Sequence, residues 1–487
     1  MNKRFVSFIF ASLFALSLLG LTSCEQYDPT EVKNPSITEE NLLANPLGST
    51  AILVTGVRRQ FSIATGPVVY TSEIVSDNYD YVFVTLSPLL DRPASLTPLD
   101  LTINGLGGPY FTTQRLRALC DFGINQLSKL DANASNAQLS ELYFYKGMAL
   151  LFLAENFSNF PIQELGLPVT SAVALDSAVA QFNQSRALST GFATLSRLAA
   201  ARALRLRGNR AAAISEANAA LAASNFSTAT LQALYTEAIL DNENNFFFFR
   251  STANQTQPLP RLDFLDPKNT TQRGSTITML KGEEAHLILA EAAISQGNLA
   301  EAREQMKRAI TLAKSRATLT YTDRARRPSR PNNDTLLIKM SSNHTHSDTT
   351  LRFSGLIVAR TAGRTLTTSP ISNTSLDTNA INALPATSER EHFYTLYLLR
   401  QHIFFLEGRR MSDLGIRLPV MQRQIEGSPN MPDGSPGTRV VVPSYIPNND
   451  EMDAFTINST TGVVTITHDM NGVLANNRAT VSPFTLP

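Results

Sequence analysis

The chain has 487 residues, enough to bury a large core and long enough for more than one domain at ordinary domain sizes. Its 42 Lys and Arg are balanced by 41 Asp and Glu, which leaves no electrostatic footprint for nucleic acid or for an acidic lipid surface. Two cysteines are too few for the disulfide framework that holds small secreted domains together, and the chain has no tryptophan.

The amino end reads as an export signal: Lys3 and Arg4 precede a stretch from Phe5 to Leu21 that carries no charge. Leu21-Thr22-Ser23-Cys24 resembles the lipobox of bacterial lipoproteins, whose cysteine becomes the acylated first residue. The resemblance implies a signal peptide over 1–23 and lipid attachment at Cys24. The alternative, an uncleaved anchor helix, is disfavoured because the run falls short of the roughly 20 residues that span a bilayer. No later apolar run is long enough to cross one, so the membrane would be reached through lipid alone. Cys120 then has no partner; it falls in the helical pattern "RLRALCDFGINQLSKL" and is expected as a small buried hydrophobe.

Residues 24–40 are polar, carry two prolines and lack helical periodicity, as an extended tether does. In "SITEENLL", Ser36 lies three residues before Glu39, the spacing of a capping box at a helix start. The segment "SEIVSDNYDYVF", residues 72–83, follows the first helix. Tyr79 and Tyr81 offer rings for stacking, and Asp77, Asn78 and Asp80 offer hydrogen-bond partners for hydroxyls. An ordinary helix end, capped by Asp or Asn with tyrosines at the surface, explains the same residues.

Helical pattern continues over 110–130 and 136–162, which suggest a hairpin. Two related segments follow. In "LSRLAAARALRLRGNRAAAISEANAALAA" the stripe Leu195, Leu198, Ala201 and Leu204 is interrupted at Gly208 and resumes with Ala213, Ile214, Ala217, Ala220 and Leu221. "AHLILAEAAISQGNLAEAREQMKRAITLA" repeats the design around Gly297-Asn298. Glycine supplies the left-handed residue that ends a helix, and alanine lets two helices approach. Both segments resemble tetratricopeptide units. Gly208 and Gly297 are 89 residues apart, which is not a multiple of the 34-residue tetratricopeptide period, so other material must intervene. Between them lies "NNFFFFR", where Phe246 to Phe249 are expected as a buried strand or core wedge rather than an exposed aromatic platform.

From about 316 to 385, Thr, Ser, Asn and Pro dominate and helical stripes vanish, as in a loop-rich insertion. Helix returns over 386–415 in "SEREHFYTLYLLRQHIFFLEGRRMSDLG", and residues 416–487 read as loops and short strands.

Four of these features together resemble the SusD/RagB-like nutrient-binding lipoproteins of the Bacteroidetes outer membrane. They are the lipobox with its acidic tether and "NPSITEENLL", the helix "LYFYKGMALLFLAENFSNFPI", the hairpin "EEAHLILAEAAISQGNLAEAREQMKRAI", and "RQHIFFLEGRRMSDLG" with Phe405, Glu407, Gly408, Arg410, Asp413 and Leu414 in place. The resemblance implies a mostly α fold: an irregular tetratricopeptide-like helical repeat of about four helix pairs, with long loop-rich insertions and a few short strands, in a single body over 41–487. It implies an oligosaccharide or peptide ligand, a SusC-like TonB-dependent transporter barrel as partner, and an outer-membrane lipid anchor facing the cell exterior. It also places part of the ligand surface after the first helix, at Asp77, Asn78, Tyr79, Asp80 and Tyr81. The signature departs from the family at Met411 and Ser412, where an aromatic pair is usual, and the lack of Trp leaves sugar stacking to Tyr and Phe. An envelope adaptor holding protein partners through its helical repeats is the competing expectation.

No catalytic residue, cofactor or metal is expected. Nucleophile elbow, phosphate loop and His-Glu-x-x-His are all missing. His344, His346 and Asp348 alternate in a polar loop without further ligands in context, and 448–453 lacks EF-hand spacing. The basic run at 324–331 reads as a solvated loop. Glu407 is expected to pair with Arg409 or Arg410 at a helix end.

Overall fold

Helical punctuation in the sequence becomes a series of antiparallel helix pairs. The computed structural model describes residues 39–80, 90–235, 257–262, 264–265, 276–322, 338–340, 365–447, 452–458 and 463–486. Eight principal helices are α1 (Ser49–Ile74), α2 (Pro109–Phe122), α3 (Asn136–Asn156), α4 (Ser171–Leu188), α5 (Ala193–Leu206), α6 (Arg210–Leu221), α7 (Glu283–Ile294) and α8 (Leu299–Lys314). They pack as α1 with α2, α3 with α4, α5 with α6 and α7 with α8. This is the mostly α, four-pair repeat that was expected.

The two glycine turns are the same device. Gly208 and Gly297 have φ of 77° and 72°. Asn209 N–H donates to Leu204 O at 3.0 Å and Asn298 N–H to Ala293 O at 2.9 Å, while each glycine N–H bonds one turn back to Arg205 O or Ile294 O. The glycine thereby satisfies the carbonyls of the finished helix. The asparagine opens the next: Asn209 Oδ1 accepts from Ala212 N–H at 3.2 Å and Asn298 Oδ1 from Glu301 N–H at 3.1 Å. Between the α5–α6 and α7–α8 pairs runs a seam of Ala201, Ala213, Ala217, Ala285 and Ala292 with Leu198 and Ile288, and Phe484 inserts into it from the far end of the chain.

Helix α3 is the central rod. Ser135 and Gln138 form a capping box at its start, and most of its length is buried, so it reads apolar on every side. At Gly147 the ring of Phe182 from α4 approaches so closely that an added Cβ would stand 2.5 Å from it. That contact explains a glycine inside a helix. The expected pairing of 110–130 with 136–162 exists, and α3 also packs along the whole of α4, a helix whose alanine-rich stripe gives a weak sequence signal.

Helix α9 (Glu389–Ile403), the single turn α10 (Arg410–Asp413) and α11 (Met470–Asn476) close the repeat, with α9 packed on both α7 and α11. The turn between α9 and α10 holds two left-handed residues, Leu406 and Gly408, at φ of 58° and 67°. Strands are short: β1 (Tyr79–Asp80) pairs with β5 (Gln257–Pro258), β2 (Asn159–Pro161) with β3 (Pro168–Thr170), β4 (Thr230–Ala233) with β6 (Ile277–Lys281), and β7 (Leu319–Thr322) with β9 (Thr365–Thr368). Strand β11 (Val463–Ile466) lies between β10 (Phe455–Asn458) and β8 (Ile338–Met340).

Cys24 and the tether up to residue 38, Tyr81, Phe246 to Phe249, the basic run 324–331, and His344, His346 and Asp348 lie outside the described residues, as do positions 448–451. Among the described residues no helix is long and apolar enough to cross a membrane, and no three metal-ligating side chains come together.

Candidate functional site

The segment expected at the ligand turns inward. Asp77 and Tyr79 have no exposed surface and Asn78 is 1% exposed. Asp77 accepts two bonds from Arg410, Nε to Oδ1 at 2.5 Å and Nη2 to Oδ2 at 2.9 Å. It also takes Arg261 Nη2 at 3.2 Å and Gln401 Nε2 at 2.9 Å. Arg261 reaches on to Asp469 at 3.1 Å, and Arg410 Nη1 donates to Asn471 Oδ1 at 2.9 Å. Burial pushes the Asp77 carboxyl up, but the charges and hydrogen bonds of Arg410 and Arg261 outweigh it and hold the group below the usual carboxylate range. Asn78 donates to Glu73 at 2.6 Å, and Tyr79 stacks on Phe405 with ring centroids 5.4 Å apart. In this arrangement Asp77, Asn78 and Tyr79 bind the protein itself, joining the end of α1 to α9, α10 and α11. The side chain of Asp80, like Tyr81, lies outside the described residues.

The signature residues belong to the same buried framework. Glu407 pairs with Lys281 at 2.6 Å, and Lys281 also donates to Ile371 O and Ile403 O. The expected helix-end pairing is therefore corrected: Arg410 turns to Asp77, and Arg409 to Glu284 at 3.3 Å and the carbonyl of Met279. Long-range partners outcompete the local ones because all of these groups are enclosed and each charge needs a counter-charge. Asp413 is clamped by both arms of Arg400, at 2.8 and 2.9 Å, while Arg205 meets Glu291 at 2.5 Å and Tyr397 at 3.1 Å. Arg202 forks onto Glu155. Cys120 is fully buried and its thiol is pushed up by burial, as a packing residue.

What the surface offers a ligand is a groove of about 570 Å³ between α2, α3, α4 and the β2–β3 turn. It begins where α2 widens into a single π-helical turn over Gly123–Leu127, a local irregularity often found at functional sites. This turn presents Asn125 and Gln126, beside the half-buried ring of Phe122. Gln163 and Glu164 enter from the β2–β3 turn, next to Leu165, a non-glycine residue held at φ 51°. The floor is a charge relay in which Asp121 bonds Arg117 at 2.5 Å and Lys146 at 2.6 Å, with Arg117 Nε further held by Gln114 Oε1 at 2.7 Å. Gln181 closes the far wall, and its Oε1 is buried without a hydrogen-bond partner. An orphaned acceptor of this kind costs stability unless a donor arrives. Amides, a carboxylate and one aromatic ring are the groups that bind vicinal hydroxyls or a peptide backbone. None of these positions was singled out from the sequence, because four separate elements supply them.

In sequence, no family model and no curated protein matches the chain. Solved structures do match in shape. A SusD superfamily protein from Bacteroides fragilis NCTC 9343 superposes with a TM-score of 0.50 at 10% identity, covering 77% of this chain and 88% of that one. A SusD-like carbohydrate binding protein from Bacteroides vulgatus ATCC 8482 gives 0.48 at 10% identity over 75% and 82%, and B. fragilis NanU gives 0.48 at 10% over 82% and 98%. At such identities the likeness is one of fold, and on the helix pairs, the buried signature turn and this superposition the chain has the SusD-superfamily fold.

Proposed function

We propose that this chain is a surface lipoprotein, anchored in the outer membrane through Cys24, that captures an oligosaccharide and delivers it to a SusC-like TonB-dependent transporter barrel without catalysing a reaction. The observation that carries the binding half of this reading is the groove at Phe122: an open, largely polar trough with an aromatic wall and an unpartnered buried acceptor at Gln181 fits a polyhydroxylated oligomer. The export signal with its lipobox and the SusD-superfamily fold support the rest. Ligand contact from Asp80 and Tyr81 belongs to the same proposal, whereas Asp77, Asn78 and Tyr79 are enclosed and bind the protein itself.

The test has two arms. Purifying the intact lipoprotein from detergent-solubilised outer membrane should recover a transporter barrel at near-equal stoichiometry; recovery alone, or with soluble envelope proteins only, favours the adaptor. Calorimetry with a panel of neutral and acidic oligosaccharides and mixed peptides should then find a ligand. Gln181→Leu or Asn125→Ala should weaken it by about tenfold, the value of one or two hydrogen bonds. Tyr81→Ala tests the other segment. Binding that none of these changes alters would remove the groove from the reading.

A further inference from the structure

Among the described residues that line the groove at Phe122, Gln181 alone holds a buried side-chain acceptor with no partner. The groove is a trough over α3, walled by α2 on one side and α4 on the other. Ser140 Oγ donates to Ser185 O at 2.8 Å and the Phe182 ring lies against Gly147. That register brings Gln181 on α4 level with Lys146 on α3, and Ser177 level with Leu150. Lys146 nevertheless turns to Asp121 at 2.6 Å, so the Oε1 of Gln181 is left without a donor. On the facing wall the π-helical turn presents Asn125 and Gln126, both exposed. Leu150 and Ile162 supply apolar surface between the walls. The lining charges cancel, Arg117 and Lys146 against Asp121 and Glu164, and both cations already share Asp121.

We propose that this groove selects an N-acetylated amino sugar, a narrowing of ligand class that rests on the oligosaccharide-binding reading. The acetamido N–H donates to Gln181 Oε1, its carbonyl accepts from the side-chain amide of Asn125 or Gln126, and its methyl covers Leu150 and Ile162. A planar trans amide points its N–H and its C=O in opposite directions, so one acetamido group reaches both walls. A plain hydroxyl fills the acceptor but leaves the apolar surface wet. A carboxylate or an ammonium group has to compete with ion pairs already made, in a groove of balanced charge. A peptide brings an amide about every 3.4 Å along an extended chain, whereas a single buried acceptor waits for a donor here.

The experiment measures, by calorimetry and saturation-transfer NMR on the full lipoprotein in detergent, sugars in matched pairs that differ only in a 2-acetamido or 2-hydroxyl group. The pairs are chitotetraose with cellotetraose, and the N-acetylated forms of glucosamine, galactosamine and mannosamine with glucose, galactose and mannose. For the pair that fits, the acetamido member should bind about tenfold more tightly, the effect of one hydrogen bond and a covered methyl, and its acetyl methyl should be the most strongly saturated group. Gln181→Leu removes an unpaired acceptor, so the variant should melt no lower than the parent, and it should bring the two members of the pair to within about twofold. Equal binding of the members by the parent, or a preference that survives Gln181→Leu, would overturn the proposal. So would the absence of binding to every acetamido sugar: plain glycans bound in their place would leave the oligosaccharide reading standing, and mixed peptides bound alone would remove both.

Discussion

Asp77→Ala should be among the most damaging single substitutions in the protein. The carboxylate accepts from Arg410, Arg261 and Gln401, and both guanidinium groups are only 2% exposed. Removing one partner of a buried ion pair costs about 3–5 kcal/mol because a charge is left unpaired. Here two cations lose a counter-charge, although Asp469 still holds one of them, so a value near the top of that range, about 4–5 kcal/mol, is expected. Urea unfolding followed by far-ultraviolet circular dichroism measures it; with a slope of about 3 kcal/mol per molar, the midpoint should fall by about 1.5 M. Combining Asp77→Leu with Arg410→Met should cost less than Asp77→Ala alone, since it leaves fewer buried charges unpaired. The pH dependence has a definite sign. With its folded pKa lowered, Asp77 contributes stability above its unfolded value of about 3.9, and that contribution disappears as the pH falls through the folded pKa. A loss below about 1.5 kcal/mol for Asp77→Ala would refute the view that this cluster is the clasp of the fold.

Glu284 behaves in the opposite way. Burial, aided by Glu155 and Glu407 against the pull of Arg202 and Arg400, raises it to about 7. It therefore favours the folded state below its unfolded pKa and loses that contribution as the pH rises to about 7; Glu284→Gln should gain about 2 kcal/mol relative to the parent between pH 5 and pH 8 in paired urea titrations. The two glycine turns should separate under substitution. Gly297→Ala meets open space and should cost about 1 kcal/mol for its left-handed backbone, whereas at Gly208 the added Cβ also stands 2.9 Å from Pro483 O and should cost about 2 or more, read by thermal melts. Phe484→Ala empties the seam between the α5–α6 and α7–α8 pairs and should cost about 3–5 kcal/mol in the same assay.

The repeat was legible in the sequence because its signals are local. Gly-Asn at 208 and 297 ends one helix and caps the next within five residues, and alanine stripes flank each turn. Helix α4 was missed since "SAVALDSAVAQFNQSRAL" shows small residues where a helix normally shows large ones; its mate α3 supplies bulk through Phe144, which packs on Phe182. The charge clusters were illegible for a different reason. Asp77 and Arg410 are 333 residues apart, and no local pattern says which of 42 cations will meet which of 41 anions. The same limitation hid the groove: Asn125, Lys146, Gln163 and Gln181 converge only after α2, α3 and α4 have packed.

Phe484 carries an implication for how the molecule is made. The two hairpins it joins are complete once residue 314 has been synthesised, yet the wedge between them arrives only after every residue up to 483 has been made. Until then the alanine seam has no lock, and the Asp77 cluster still waits for Asp469 and Asn471. A chain whose last contacts come from residues 469–484 stays loosely assembled until they arrive, so its core closes only when nearly the whole sequence is available to pack.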